Sequence, residues 1–141
     1  MTQIVQNCLL VALGGALGTL ARYGIGIAAA KLLGKGFPWG TLIVNVGGCF
    51  AMGVVLGAIA SWESQSPEAM TPDIRGRIEL WRTFLAVGLL GGLTTFSSFG
   101  GDTIRELQGG QPGIAVANVV SNVALSLVAV WCGLATMRMA D

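Results

Sequence analysis

The sequence predicts an all-α membrane protein with four transmembrane helices in a single domain, residues 1–141. Two observations predict this fold class. Hydrophobic residues make up 53% of the chain and charged residues only 11%, whereas soluble domains have about 25% charged residues. Charged positions also divide the chain into four apolar runs, and each run is long enough for the about 20 residues that a spanning helix needs.

The four predicted spans occupy approximately residues 4–33, 38–62, 83–107 and 112–137. The first span has no basic residue before it and is too long for the core of a signal peptide, so we expect it to be retained. Glycine- and proline-containing turns at 34–38 and 109–113 join the first span to the second and the third to the fourth. A longer charged loop, 63–82, joins the second span to the third.

Positive residues are balanced between the two predicted membrane faces. Four spans place both termini on one face, and the positive residues of that face are Arg75, Arg77, Arg82 and Arg138. Those of the opposite face are Arg22, Lys31, Lys35 and Arg105. The positive-inside rule therefore sets no orientation. Either other signals fix one topology, or the chain inserts in both directions and pairs with itself as an antiparallel homodimer.

The third span contains a stretch, residues 88–101, that is poorly suited to a continuous helix. It combines glycine pairs, adjacent threonines and serine hydroxyls, all of which weaken helices. We expect a break here, and irregular backbone at membrane depth is tolerated only where it is buried in protein or lines a cavity. Freed carbonyls can hold a cation, and freed amides can face an anion. The alternative is a glycine kink that serves packing alone.

Two phenylalanines follow the expected break. Phe96 and Phe99 are three residues apart, so they share a helix face. Such residues usually fill a core or face lipid, but these lie among hydroxyls, and a phenyl ring has a positive edge. Ring edges that point into a narrow path could replace part of the water around a small anion. Fluoride is the small, hard anion that most needs such replacement.

Polar residues inside the other spans have two interpretations. Asn45 lies in the middle of the second span, where a buried amide is either a link between helices or part of a pathway. Asn118, Asn122 and Ser126 recur at i, i+4 and i+8 and form a polar stripe with the same alternatives. Arg22 interrupts the first span near its end, either as an interface anchor or as a charge at a pore mouth.

Several function classes are disfavoured by the composition. The net charge of +1 gives no basic field for nucleic acid, and there is no histidine. Cys8, Cys49 and Cys132 lie in apolar runs without CxxC spacing, so we interpret them as packing residues. The sequence has no Walker motif and no nucleophile–base set, and we expect no enzymatic activity.

Passive conduction is the favoured transport mechanism. With the third apolar run placed between Arg82 and Asp102, no Asp or Glu lies inside a run, whereas proton-coupled pumps usually need one. The main alternative is a small proton-coupled multidrug antiporter, which also has four spans. A third possibility is a scaffold subunit that transports nothing, but it would not explain the clustered Asn, Thr and Phe.

Three segments of the sequence resemble the Fluc/CrcB family of fluoride channels. They are 14–23, which includes GGALG and RY, 40–45 with the sequence GTLIVN, and 91–99 with the sequence GGLTTFSSF. The resemblance implies a dual-topology, antiparallel homodimer with two pores. It also implies passive export of fluoride, which lowers its cytoplasmic concentration, and a multi-pass location in the cell (inner) membrane.

The resemblance also implies roles for individual residues. A fluoride pathway would include Asn45, Phe96 and Phe99, together with Thr95 and, on the fourth span, Asn122 and Ser126. A structural sodium ion would lie at the dimer centre, where the backbone carbonyls of Gly91 and Thr94 would hold it. Apart from the resemblance, its charge and position place Arg22 either at the pore vestibule or as an anchor of the first span at the membrane interface.

Overall fold

The computed structural model describes residues 2–65 and 71–139, and this part of the chain is helical. Residues 66–70 of the predicted loop 63–82 lie outside the described residues. The elements are α1 (Gln3–Leu32), α2 (Trp39–Gln65), α3 (Pro72–Arg82), a π-helical segment (Thr83–Leu90), α4 (Gly91–Leu93), α5 (Phe96–Gln108) and α6 (Pro112–Arg138).

Four stretches of the described chain are long and apolar enough to cross a membrane. They are Gln3–Leu32, Trp39–Ser64, Pro72–Gln108 and Pro112–Arg138. The prediction of an all-α, multi-pass membrane protein with four spans is therefore confirmed.

The third stretch begins at Pro72 and not near residue 83, where the predicted span starts. The hydroxyl of Thr71 accepts a hydrogen bond from the N–H of Ile74, and Pro72 occupies the first turn. Both features are typical of a helix start. Helix α3 is the charged extension that results.

Glycine allows close contact in two helix pairs. α1 packs on the π-helical segment, and α2 packs on α6. A Cβ built at Gly14 would lie 2.6 Å from the carbonyl oxygen of Phe84, and one built at Gly53 would overlap the carbonyl oxygen of Val130. Because these backbones touch only where the side chain is a hydrogen atom, glycine is required at both crossings.

The third stretch changes its backbone geometry before α5. Thr94 (φ −78°, ψ 156°) and Thr95 (φ −154°, ψ 114°) are extended and separate α4 from α5. The N–H and the hydroxyl of Thr94 both still donate to the carbonyl of Leu90 and close the last turn of the preceding helix. Helical hydrogen bonding begins again at Phe96. The two β-branched residues suit this extended backbone.

Candidate functional site at the threonine pair

Asn45 on α2 provides hydrogen-bond partners for the backbone of the extended pair. Its Oδ1 accepts from the N–H of Thr95 at 2.8 Å, and its Nδ2 donates to the carbonyl of Thr95 at 3.2 Å. A carboxamide carries the same donor and acceptor types as a peptide group. Its oxygen supplies the partner that the Thr95 N–H lacks at the start of α5, and its N–H₂ group adds a second donor to the Thr95 carbonyl. The structure therefore shows Asn45 as a link between helices, and its place in a pathway stays a prediction.

A chain of hydrogen bonds continues from Asn45. Its Nδ2 also donates to Oδ1 of Asn122 at 3.0 Å, and Nδ2 of Asn122 donates to Oδ1 of Asn118 at 2.8 Å. Nδ2 of Asn118 donates to Oγ1 of Thr103 at 2.9 Å, and that hydroxyl donates to the carbonyl of Phe99 at 2.8 Å. We call Asn45, Asn122, Asn118 and Thr103 the amide ladder. It connects α2, α6 and α5.

The amide ladder is satisfied, and it is buried at its two α6 members while Asn45 and Thr103 are half-buried. Asn118 is 0% exposed and Asn122 is 5% exposed. Within the described part of the chain, no buried side-chain nitrogen or oxygen lacks a hydrogen-bond partner. A buried amide is costly only when it is unpaired, so a complete network can hold three helices in one arrangement.

The predicted polar stripe on α6 is divided in the structure. Asn118 and Asn122 belong to the amide ladder, whereas half-buried Ser126 makes no hydrogen bond to any other described residue. Ser126 lies between the ladder and Gly133, the position at which α6 touches the backbone of α2. The even spacing of the three residues did not reveal that they have different surroundings.

Hydroxyl groups gather at the N-terminus of α5. The hydroxyl of Thr95 accepts from the N–H of Ser98 at 3.1 Å, donates to Oγ of Ser98 at 3.1 Å and lies 3.2 Å from Oγ of Ser97. Thr95 is thus the N-cap of α5. Free N–H groups and the helix dipole make such a terminus favourable for negative charge.

The two phenylalanines lie in the first turns of α5, beside these hydroxyls. The centroids of Phe96 and Phe99 are 5.3 Å apart, with an angle of 58° between the ring planes. Phe99 is half-buried, whereas Phe96 is 82% exposed. The structure therefore brings the predicted pair together next to Thr95, and most of the Phe96 ring is left uncovered by its own chain.

The carbonyls of Gly91 and Thr94 lose the donors that a continuous helix would give them. The N–H of Thr95 would bond Gly91, but it donates to Asn45. The N–H of Ser98 would bond Thr94, but it donates to the hydroxyl of Thr95. Because carbonyl oxygens released at a helix break are ligands for sodium, these two residues fit the predicted cation site.

Arg22 reaches the same place from α1. Its Nη1 donates to the carbonyl of Thr94 at 3.4 Å, so a cationic group already contacts one of the two released carbonyls. The arginine that interrupts the first span is thereby positioned beside the extended pair.

A cavity of about 500 Å³ leads to the extended pair, and Thr95 and Ser98 line part of it. We call this cavity the vestibule. Its charged residues are Arg22, Lys35, Asp102, Arg105 and Glu106. Three positive and two negative side chains leave a small positive excess around the entrance.

Sequence reasoning missed two polar residues of the vestibule. Oγ1 of Thr41 donates to Oδ2 of Asp102 at 2.7 Å, and Asp102 also pairs with Arg105 at 3.0 Å. The charge of Asp102 marks the end of an apolar run in the sequence, but α5 continues through it. The helical spacing of Thr41 to Asn45 and of Phe99 to Asp102 was the available signal. The third stretch, Pro72–Gln108, therefore does contain carboxylates in α5, at Asp102 and Glu106.

Comparison with known proteins gives a family match and many relatives. A family model described as CrcB-like protein, Camphor Resistance (CrcB), matches residues 9–134. A protein of Shewanella amazonensis is 43% identical over 129 residues, which cover 92% of this chain and 94% of the relative. One of Rhizobium meliloti is 42% identical over 134 residues, which cover 95% and 98%. Both relatives are named fluoride-specific ion channel FluC.

Proposed function

The chain belongs to the CrcB family, and we propose that it is a fluoride-specific ion channel. It exports fluoride passively and so lowers the fluoride concentration of the cytoplasm, as a multi-pass protein of the cell (inner) membrane. The observation that carries this function is the vestibule, which ends on the hydroxyl-rich N-terminus of α5 beside two phenylalanines. A channel makes and breaks no covalent bond, so the chain is not an enzyme. No relative described above is named as an antiporter.

Dehydration of fluoride begins at the vestibule in this proposal. Arg22, Lys35 and Arg105 raise the local concentration of anions there. At its inner end, the N-terminus of α5 offers donors that replace water, and the Thr95 hydroxyl can add its own by exchanging its hydrogen bond to Ser98 for the ion. The edges of Phe96 and Phe99 then continue the path with weakly positive ring hydrogens.

Asn45, Asn122 and Ser126 complete the proposed pathway. Both amide hydrogens of Asn45 are already engaged, one with Thr95 and one with Asn122. Donation to fluoride therefore requires an exchange of one of these bonds for the ion. The hydroxyl of Ser126 has no competing partner among the described residues, so it is free to donate at the far end of the path.

The assembly in this proposal is an antiparallel homodimer with two pores. The balance of positive residues between the two faces and the exposed ring of Phe96 support it. A single cysteine introduced as Lys35→Cys in a cysteine-free background tests the topology in cells. We expect impermeant maleimide to label it from both membrane faces, and labelling from one face alone would refute dual insertion.

A sodium ion at the dimer centre is the proposed resident cation. The carbonyls of Gly91 and Thr94 would hold it, since both lack their helical donors, and the Thr94 carbonyl would exchange its long bond from Arg22 for the ion. When bound, it supplies positive charge that holds the two extended pairs of the dimer together.

Fluoride efflux from liposomes tests the function. We expect purified protein to release fluoride but not chloride, as read by ion-selective electrodes. Phe96→Ile and Phe99→Ile should each slow release about tenfold, the factor that corresponds to the loss of about 1.4 kcal/mol of ring–ion interaction. Phe50→Ile on α2 is the matched control and should conduct normally.

The outcomes separate the function from the site. A wild-type trace equal to that of empty liposomes would refute the channel. Normal flux in both α5 variants, with the wild type active, would leave the channel intact and assign the rings to packing.

A further inference from the structure

Helix α3 is amphipathic and lies away from the proposed pathway. Ile74, Ile78 and Trp81 recur at i, i+4 and i+7 and form one apolar face. The whole third stretch, Pro72–Gln108, has 37 residues. At 1.5 Å per residue its length is roughly 55 Å, against about 30 Å of hydrocarbon in a bilayer. The charged helix α3 must therefore extend into the headgroup region.

The apolar face of α3 and the second half of α2 enclose a hydrophobic groove of about 570 Å³. Ala58, Ile59 and Trp62 line it from α2, and the apolar face of α3 lines the opposite wall. Its volume is in the range of sites for small apolar ligands. Trp62 and Trp81 are both largely exposed, as is common for tryptophans at the level of lipid headgroups.

Two arginines line the same groove. Arg82 contacts Glu79 at 3.5 Å, but both side chains are more than half exposed, so this pair holds the arginine only weakly. Arg77 forms no ion pair with any carboxylate of the described residues, and no described carboxylate lines the groove. The groove thus combines an apolar floor with a positive rim on which Arg77 has no described carboxylate partner and Arg82 has only a weakly held one.

We propose that this groove binds one anionic phospholipid. An acyl chain lies between α2 and α3, and the lipid phosphate lies against Arg77 and Arg82. Basic pockets between membrane helices at the headgroup level recognise anionic lipids because their positive side chains attract the lipid phosphate. A zwitterionic lipid with the same acyl chains has no net charge to match the two arginines, and a purely apolar molecule would leave the charge of Arg77 unmatched.

Native mass spectrometry of the purified protein, titrated separately with phosphatidylglycerol and phosphatidylcholine of identical acyl chains, tests the proposal. We expect one phosphatidylglycerol to bind more tightly than phosphatidylcholine. Because each arginine near a membrane surface contributes about fivefold, Arg77→Gln/Arg82→Gln should weaken phosphatidylglycerol binding roughly 30-fold. Arg138→Gln, at the exposed end of α6 outside the groove, is the control and should retain binding.

A second variant tests the apolar part. Ala58→Phe fills the groove and leaves both arginines in place, so it should also weaken binding of phosphatidylglycerol. Equal affinity for the two lipids, or undiminished phosphatidylglycerol binding in either groove variant, would overturn the proposal. A loss of dimer in Ala58→Phe with unchanged lipid binding would overturn it too and assign the groove to a second copy of the chain.

Discussion

Helices α2 and α6 are held together differently in the two halves of their interface. Near the extended threonines, Asn45 donates to Asn122, and the amide ladder continues into α5. In the other half, Gly53 and Gly133 lie against each other, and a Cβ built at either would overlap a backbone carbonyl of the opposite helix. One half depends on paired donors and acceptors, and the other depends on shape alone.

The difference indicates that the two halves of the α2–α6 interface have different structural roles. At the glycine contacts the two backbones touch directly, so neither helix can move closer or accept a larger side chain there. Hydrogen bonds between membrane helices are weaker, averaging about 0.6 kcal/mol each, but they are directional. The glycine half can therefore hold α2 and α6 at a fixed distance, while the amide half orients polar groups beside the proposed pathway.

The largest expected effect is on the glycine half. Gly133→Ala should lower the free energy of unfolding by about 3 kcal/mol, because the carbonyl of Phe50 is backbone and cannot rotate away from the new methyl group. Unfolding in mixed micelles, followed by tryptophan fluorescence, measures it. Gly113→Ala is the control on the same helix, with open space at its Cβ, and should leave stability unchanged or slightly higher. Equal stability of the two variants would show that the crossing is not tight.

A substitution in the amide half should have an intermediate effect on the free energy of unfolding and a larger effect on fluoride flux. Asn45→Leu removes the partners of the Thr95 N–H and carbonyl and of Oδ1 of Asn122. We expect a loss of about 2 kcal/mol, together with loss of fluoride flux, since the extended pair is no longer held. The control is Ser121→Ala, whose hydroxyl bonds to carbonyls of its own helix. Wild-type flux in folded Asn45→Leu protein would contradict this role.

The smallest expected changes in stability come from removing the N-cap hydroxyls of α3 and α5. Thr95→Val and Thr71→Val each remove a hydroxyl that accepts from an N–H at a helix start, and each should cost about 1 kcal/mol. Of the two variants, only Thr95→Val should also reduce fluoride flux, because Thr95 lines the vestibule and Thr71 does not. Similar flux in the two variants would reduce Thr95 to a structural cap.

Most of the fold could be predicted from the sequence. Apolar runs of sufficient length determine where spans lie, because lipid offers no partner for an exposed backbone. The start of the third stretch was missed because Thr71 and Pro72 form a local helix start that lies among charged residues. Hydropathy does not detect such a signal, whereas the capping pattern does.

The sequence by itself determined the four spans and the polar residue types around 94–99. Only the tertiary structure decided which of those residues meet. It paired Asn45 with both backbone groups of Thr95, separated Ser126 from Asn118 and Asn122, and brought Thr41 to Asp102. The physical reason is that spacing along one helix specifies a face. The groups opposite that face come from helices distant in sequence, and their partners depend on how the helices cross.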